Sequence, residues 1–100
     1  MFARLVSAQV KTDKFDEGIK IWKEQDMPLS ESVKGYIGAY LLMNRKVGKV
    51  ISMSLWDTEE DAIADESSAL HQKQVSLFKD IIIGEPITQN FEISAKHKID

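Results

Sequence analysis

The chain has no cysteine, only two prolines in 100 residues, no excess of basic side chains and no long apolar run. Each absence removes a class of protein. Without thiols there is no disulfide scaffold, no cysteine-ligated zinc site and no thiol nucleophile. Thirteen Lys and Arg against sixteen Asp and Glu leave a formal charge of −3, whereas nucleic-acid modules carry a clustered positive footprint; no nucleic-acid partner is expected. No apolar stretch approaches the roughly 18 residues of a membrane helix, so no membrane partner is expected either. Met1 to Val10 lacks the basic start, apolar centre and small-residue cleavage site of a secretory signal, which leads to the expectation of a cytoplasmic chain. HExxH, P-loop, GxSxG and GxGxxG arrangements are all missing, so zinc hydrolysis, nucleotide transfer, hydrolase and dinucleotide chemistry have no support. What remains is a chain 43% apolar and 29% charged, of a length that predicts a single domain over residues 1–100.

Periodicity supplies the elements. Phe2 to Val10 places Phe2, Val6, Ala8 and Val10 on one side and Ala3, Leu5, Ser7 and Gln9 on the other, the pattern of a strand. Thr12 and Asp13 are candidate caps for a helix whose stripe is Phe15, Ile19 and Trp22, with Pro28 as its stop and Leu29 to Lys34 as a loop. Gly35 to Met43, GYIGAYLLM, is apolar or aromatic at both parities, so both of its faces call for burial. Asn44 to Gly48 holds turn residues, and Lys49 to Trp56 returns to period two, which predicts a hairpin. Asp57 and Thr58 before Glu59, Glu60 and Asp61 form a helix start, with carboxylates at the positive end of the dipole. One long helix is predicted from there, its stripe running through Ala62, Ile63, Ala69, Leu70, Leu77, Phe78 and Ile81. Gly84 and Pro86 close it, with Ile81 to Ile83 in its last turn or leading into the final strand, Ile87 to Lys96.

The order β-α-β-β-α-β predicts an α+β, ferredoxin-like domain: a four-stranded antiparallel sheet with two helices on one face. The other face, carrying one parity of GYIGAYLLM with residues such as Val6 and Phe91, is left uncovered and apolar. A homodimer with two sheets packed face to face is expected.

The run from Gly35 to Ser68 resembles the antibiotic biosynthesis monooxygenase-like domains, members of the dimeric α+β barrel superfamily. The matching positions are Gly35, Tyr36 and Gly38 in the strand, Gly48 in the turn, Trp56 at the end of the next strand, and the acidic start Asp57, Thr58, Glu59 and Glu60. The resemblance covers the middle third of the chain in motifs and the whole of it in element order. It implies a monooxygenase-like protein that acts on or binds a small aromatic or quinone-like metabolite without cofactor or metal. In such chemistry the protein excludes water, orients the ring and stabilises a phenolate or enolate. Trp56, placed at the mouth of the helix-sheet space, is a candidate catalytic residue, Tyr36, Tyr40, Ser52, Ser54 and Asn90 are candidate lining residues, and Arg4, the arginine of the first strand, is a candidate holder of an anionic substrate oxygen.

The haem-degrading branch of that family carries an Asn in the first strand, a second Trp and an axial His. Here the first strand has Ser7 and Gln9, and the other two positions fall on Asp65 and Val75, with His71 one helical turn short. No haem is expected.

Plainer readings stand beside each candidate. Trp56 can simply close the core, and Tyr36 and Tyr40, placed on one strand face, can be core or interface aromatics. His71, the candidate general base, can be a partly exposed helix histidine, and His97 lies in a charged tail. The acidic run Asp57 to Glu66 reads as a dipole-favoured helix start whose carboxylates spread around the axis, with no metal site. Two other function classes stay open: a non-catalytic ligand-binding or regulatory domain, and a small isomerase or dehydratase with His71 as base.

Overall fold

Alternation along the chain sets the frame. Strands β1 (Phe2–Val10) and β3 (Lys49–Trp56) occupy the two period-two segments and pair antiparallel from Phe2 opposite Trp56 to Gln9 opposite Lys49. In this computed structural model, which describes residues 1–99, β2 (Tyr36–Asn44) and β4 (Ile82–Glu92) flank them, giving the sheet order β2-β3-β1-β4. All pairs are antiparallel. The first helical region is α1 (Phe15–Ile21), a π-helical turn over Trp22–Asp26, and α2 (Met27–Ser30); the second is α3 (Glu59–Glu66) and α4 (Ala69–Ser76). The arrangement is ferredoxin-like, as the element order predicts.

Both helical regions pack on one face of the sheet. Arg4, Ala8 and Val10 of β1 and Ser54 and Trp56 of β3 are buried beneath them. Val10, Phe15 and Ile81 form the apolar centre, with Ile21, Met43 and Val50 packed against it. The opposite face is open: Tyr40 and Leu42 of β2 and Ile87 and Phe91 of β4 are 52%, 44%, 63% and 50% exposed. Val6 belongs to the covered face, among the cavity-lining side chains, and not to the open one.

Several sequence expectations are corrected by local geometry. Thr12 and Asp13 do not cap α1: the residue before it is Lys14, which makes no side-chain cap bond. Pro28 does not stop the helix. It stands at the start of α2, just after the π turn, where a proline without N–H removes little hydrogen bonding. The inward stripe therefore runs Phe15, Gly18, Trp22, Asp26 and Ser30, and Ile19 lies off it. The long second helix is interrupted at Ser67 and Ser68. There Ser68 accepts a hydrogen bond from the His71 N–H at 3.1 Å and starts α4 anew, while Thr58 caps α3 through the Asp61 N–H, also at 3.1 Å.

Gly84 and Pro86 are not a helix exit. They lie inside β4, at an irregularity where Gln9 faces Ile83 and Ser7 faces Ile87. Proline is tolerated there because β4 is an edge strand, and Gly84 adopts φ +75°. The strand begins at Ile82 and ends at Glu92, not Lys96. A second bulge at Ile37 shifts the register, so that Tyr36 faces Trp56 while Gly38 faces Leu55. Tyr36 and Tyr40 therefore lie on opposite faces, because the extra residue inverts the parity between them. At Gly35 the backbone takes φ +82°, and a Cβ would collide with the Asp61 side chain, so this loop fits α3 only with glycine.

Candidate functional site

Between the sheet and the helices lies a cavity of about 110 Å³. Much of its wall is apolar, including Val6, Val10, Phe15, Met43, Phe78 and Ile81. Val75, also on the wall, is 40% exposed.

One end of this cavity is polar. Arg4 projects inward from β1, since its parity is that of Val6 and Ala8, and a guanidinium in that place must find a counter-charge. Asp65 of α3 provides it. Arg4 donates to Asp65 Oδ2 at 2.8 Å and to the Ala62 carbonyl at 3.0 Å, and both side chains are less than a tenth exposed. Arg4 Nε and Asp65 Oδ1 are buried without hydrogen-bond partners among the described residues. Trp56, fully buried, supports the pair from behind: the Arg4 guanidinium lies 5.0 Å from its ring centre, Tyr36 meets it edge-on at 5.6 Å, and its Nε1 donates to Ser54 Oγ at 2.9 Å.

Asp26 closes the same end. It is 6% exposed, and Gln74 ties the segment down by donating to the Asp26 backbone oxygen at 3.0 Å and to Ser30 Oγ at 2.8 Å. Burial pushes the Asp26 carboxyl up to about 7, and the Asp65 charge pushes the same way, with Arg4 and Gln74 holding it back. His71 is moved in the opposite direction. Burial and then the Arg4 charge lower its pKa, against the opposing pull of Asp65 and Glu66. Its Nδ1 stands 3.8 Å from Asp65 Oδ2, beyond a hydrogen bond, and near neutral pH the ring is uncharged. The cavity thus combines apolar walls with a carboxyl that can exchange a proton near pH 7 and an uncharged imidazole.

No family model matches the chain. Two curated relatives, both uncharacterized proteins of Mycobacterium tuberculosis, are 28% identical over 98% of this chain, which spans 43% of their length. Among solved structures, a Nitrosomonas europaea protein provisionally named an antibiotic biosynthesis monooxygenase superposes with a TM-score of 0.74 at 17% identity, over 95% of this chain and 100% of that one. A haem-degrading protein of M. tuberculosis, with two haems in its active site, superposes with a TM-score of 0.75 at 14% identity, over 97% of this chain and 99% of that one. The fold is that of the antibiotic biosynthesis monooxygenase-like domains. Within this monooxygenase-like fold the present cavity does not fit haem: about 110 Å³ is on the scale of the roughly 150 Å³ void that holds a single benzene ring in an engineered protein core, and a haem is several times larger than one ring. Among the described residues no three His, Asp or Glu side chains group as metal ligands.

The sequence candidates are distributed unevenly over this fold. Arg4, His71, Ser52 and Ser54 line the cavity. Arg4, expected to hold an anionic substrate oxygen, already has its charge met by Asp65. Ser52 accepts from Trp22 Nε1 at 3.0 Å. Trp56 is not at the mouth but sealed behind Arg4, because the end of β3 is capped by Tyr36 and the loop before β2. Tyr36 donates to Met27 Sδ at 3.6 Å, and burial followed by the charges of Asp26 and Glu31 raises its pKa. Tyr40 stands on the open face and Asn90 is exposed near the end of edge strand β4; neither reaches the cavity.

Asp26, Asp65 and Gln74 are the residues missed. The reading of the acidic run as spread around a helix is wrong for Asp65, which lies three residues after buried Ala62 on the inward stripe. Its signal was available in Arg4, an inward-facing charge that needs a partner. Asp26 sits four residues after Trp22, and a helix that does not stop before Pro28 would have placed it inward.

Proposed function

We propose that this chain is an antibiotic biosynthesis monooxygenase-like protein that oxygenates a one-ring quinol or phenol in this cavity without metal or flavin, as a homodimer joined through the open sheet faces. The observation that carries this reading is the ring-sized apolar cavity with a proton-exchanging end. The oxidant is dioxygen. A quinol plus dioxygen gives a hydroxyquinone plus water: the ring loses four electrons, one oxygen atom enters it and the other leaves as water. The first step breaks the O–H bond, with the proton passing to the polar end of the cavity. The resulting phenolate passes an electron to dioxygen, the two radicals combine to a peroxide anion, the proton returns to it from the polar end, and loss of water from the hydroperoxide leaves a carbonyl that tautomerises to the hydroxyquinone. The protein's contribution is to hold the ring in a dry site and keep a base in the right protonation state.

An oxygen electrode tests this with hydroquinone, catechol and an anthrone. Uptake above the uncatalysed rate is expected with the one-ring compounds and not with the tricyclic anthrone, and Asp26→Asn is expected to lower it at least tenfold. Hydroquinone that binds with no oxygen uptake would favour the ligand-binding, regulatory class over the oxygenase.

A further inference from the structure

The residue least anticipated by the sequence has the most informative surroundings. Asp26 lies in the π-helical turn, Trp22–Asp26, between two α-helical pieces. In a regular helix, residues four apart drift around the axis by about 40°; the wider π turn takes up that drift, so Trp22, Asp26 and Ser30 all line the cavity. Such turns are found disproportionately at functional sites. The carboxyl is buried at the polar end of the cavity although nothing in the packing of a helix end requires it, and burying it there costs free energy. The groups around it come from every neighbouring element: Arg4 of β1, Asp65 of α3, His71 and Gln74 of α4, and Tyr36 of β2.

The charge balance of this end selects the ligand. Arg4 is neutralised by Asp65 at 2.8 Å, and His71 is uncharged near neutral pH, so no free cation waits for an anionic ligand. The mostly apolar wall penalises any charged ring that must leave its hydration shell. A neutral hydroxyl has neither difficulty and can donate to a carboxylate.

We infer that Asp26, and not His71 or Arg4, receives the ligand's hydroxyl, so that the cavity takes an uncharged, one-ring hydroxyarene and its proton passes first to the Asp26 carboxylate. The ligand O–H bond breaks, an O–H bond forms on Asp26, and the negative charge moves to the ring oxygen. This rests on the reading of the cavity as an aromatic site. It differs from that reading in naming the recognising group and the charge state of the ligand.

The test uses the whole protein and three one-ring probes: hydroquinone, benzoate and benzylamine. Binding is followed by quenching of Trp22, which lines the cavity, and by calorimetry from pH 5.5 to 8.5. Hydroquinone stays uncharged over this range, since phenols ionise near pH 10. Its affinity is expected to rise about tenfold as Asp26 ionises around pH 7, because a bond to a charged acceptor is the stronger one. Benzoate and benzylamine should bind at least tenfold more weakly. In Asp26→Asn the pH dependence should vanish and hydroquinone should bind about tenfold more weakly at pH 8, while benzoate should gain. A carbon-13 titration of the Asp26 carboxyl in the parent, with and without hydroquinone, adds a readout independent of the variant; the ligand should lower its midpoint. The inference is overturned if benzoate or benzylamine binds as tightly as hydroquinone, if hydroquinone binding is flat with pH, or if the pH dependence survives Asp26→Asn and disappears in His71→Ala. If none of the three rings binds, the aromatic reading of the cavity fails instead.

Discussion

The two faces of the sheet carry opposite anomalies. The covered face hides charge, with Arg4, Asp26 and Asp65 each no more than 6% exposed, and the open face displays apolar groups, with Tyr40, Leu42, Ile87 and Phe91 each at least 44% exposed. Neither state is the cheapest one for those side chains. A buried ion pair is often no more stable than well-packed hydrophobic residues in its place, and an exposed apolar patch invites a partner. Stability of the single chain therefore does not explain either face. In the reading proposed above the contrast separates two roles: the covered face holds the chemistry and the open face holds the assembly.

Breaking the covered face should have the largest effect. Asp65→Leu leaves the Arg4 guanidinium buried without its partner, and a loss of about 4 kcal/mol is expected in urea unfolding. Adding Arg4→Met should restore most of it, since the charge that needed a partner is then gone. A small loss in the single variant would mean that Arg4 escapes to water and that the polar end is not as closed as its burial indicates.

Asp26 should give the next effect, and its sign is opposite to that of most carboxylates. Its pKa is raised from 3.8 to about 7 on folding, so the native state holds a proton that the unfolded chain releases. Stability is fully present below about pH 4 and falls as pH rises toward 7. At pH 8 the burden is roughly 4 kcal/mol, given about 1.4 kcal/mol per pKa unit. Asp26→Asn should therefore melt higher than the parent at pH 8 and show little difference at pH 4. Equal melting of the two proteins at both pH values would refute the desolvated carboxyl.

The open face should respond in assembly more than in the fold of each chain. Sedimentation of the parent at micromolar concentration is expected to give twice the 11.3 kDa of one chain. Leu42→Asp combined with Phe91→Asp should return it to 11.3 kDa, with a direct change in the chain's own stability of about 0.5 kcal/mol or less, as for other exposed positions. A parent that already sediments as one chain removes the face-to-face dimer.

Much of the frame was legible because period two is a strong local signal. β1 and β3 begin and end where their alternation does, and Thr58 caps α3 because its hydroxyl reaches the Asp61 N–H three residues on. The errors fall where one residue changes the phase. At Ile37 an extra residue moves Tyr36 to the inner face, and at Gly84 to Pro86 the strand absorbs a turn signal without ending. Ser68 restarts a helix that its neighbours would have continued. In each case a helix or strand pattern is read over several residues, whereas the irregularity is decided at one. Of the candidate site, His71 and Arg4 were visible as chemistry on plausible faces, but Asp26 was hidden behind Pro28, which reads as a helix stop unless the π turn before it is known.

The sequence by itself determined the element order, the parity of β1 and β3 and the excess of apolar surface over what two helical regions can cover, because these follow from side-chain periodicity along the chain. Only the tertiary structure decided which charges turn inward and meet. Arg4 and Asp65 are 61 positions apart, and no local pattern links them; they pair because β1 and α3 are brought together and a desolvated charge must be matched. The same burial raises the pKa of Asp26 and lowers that of His71, and that property belongs to the cavity and not to either residue.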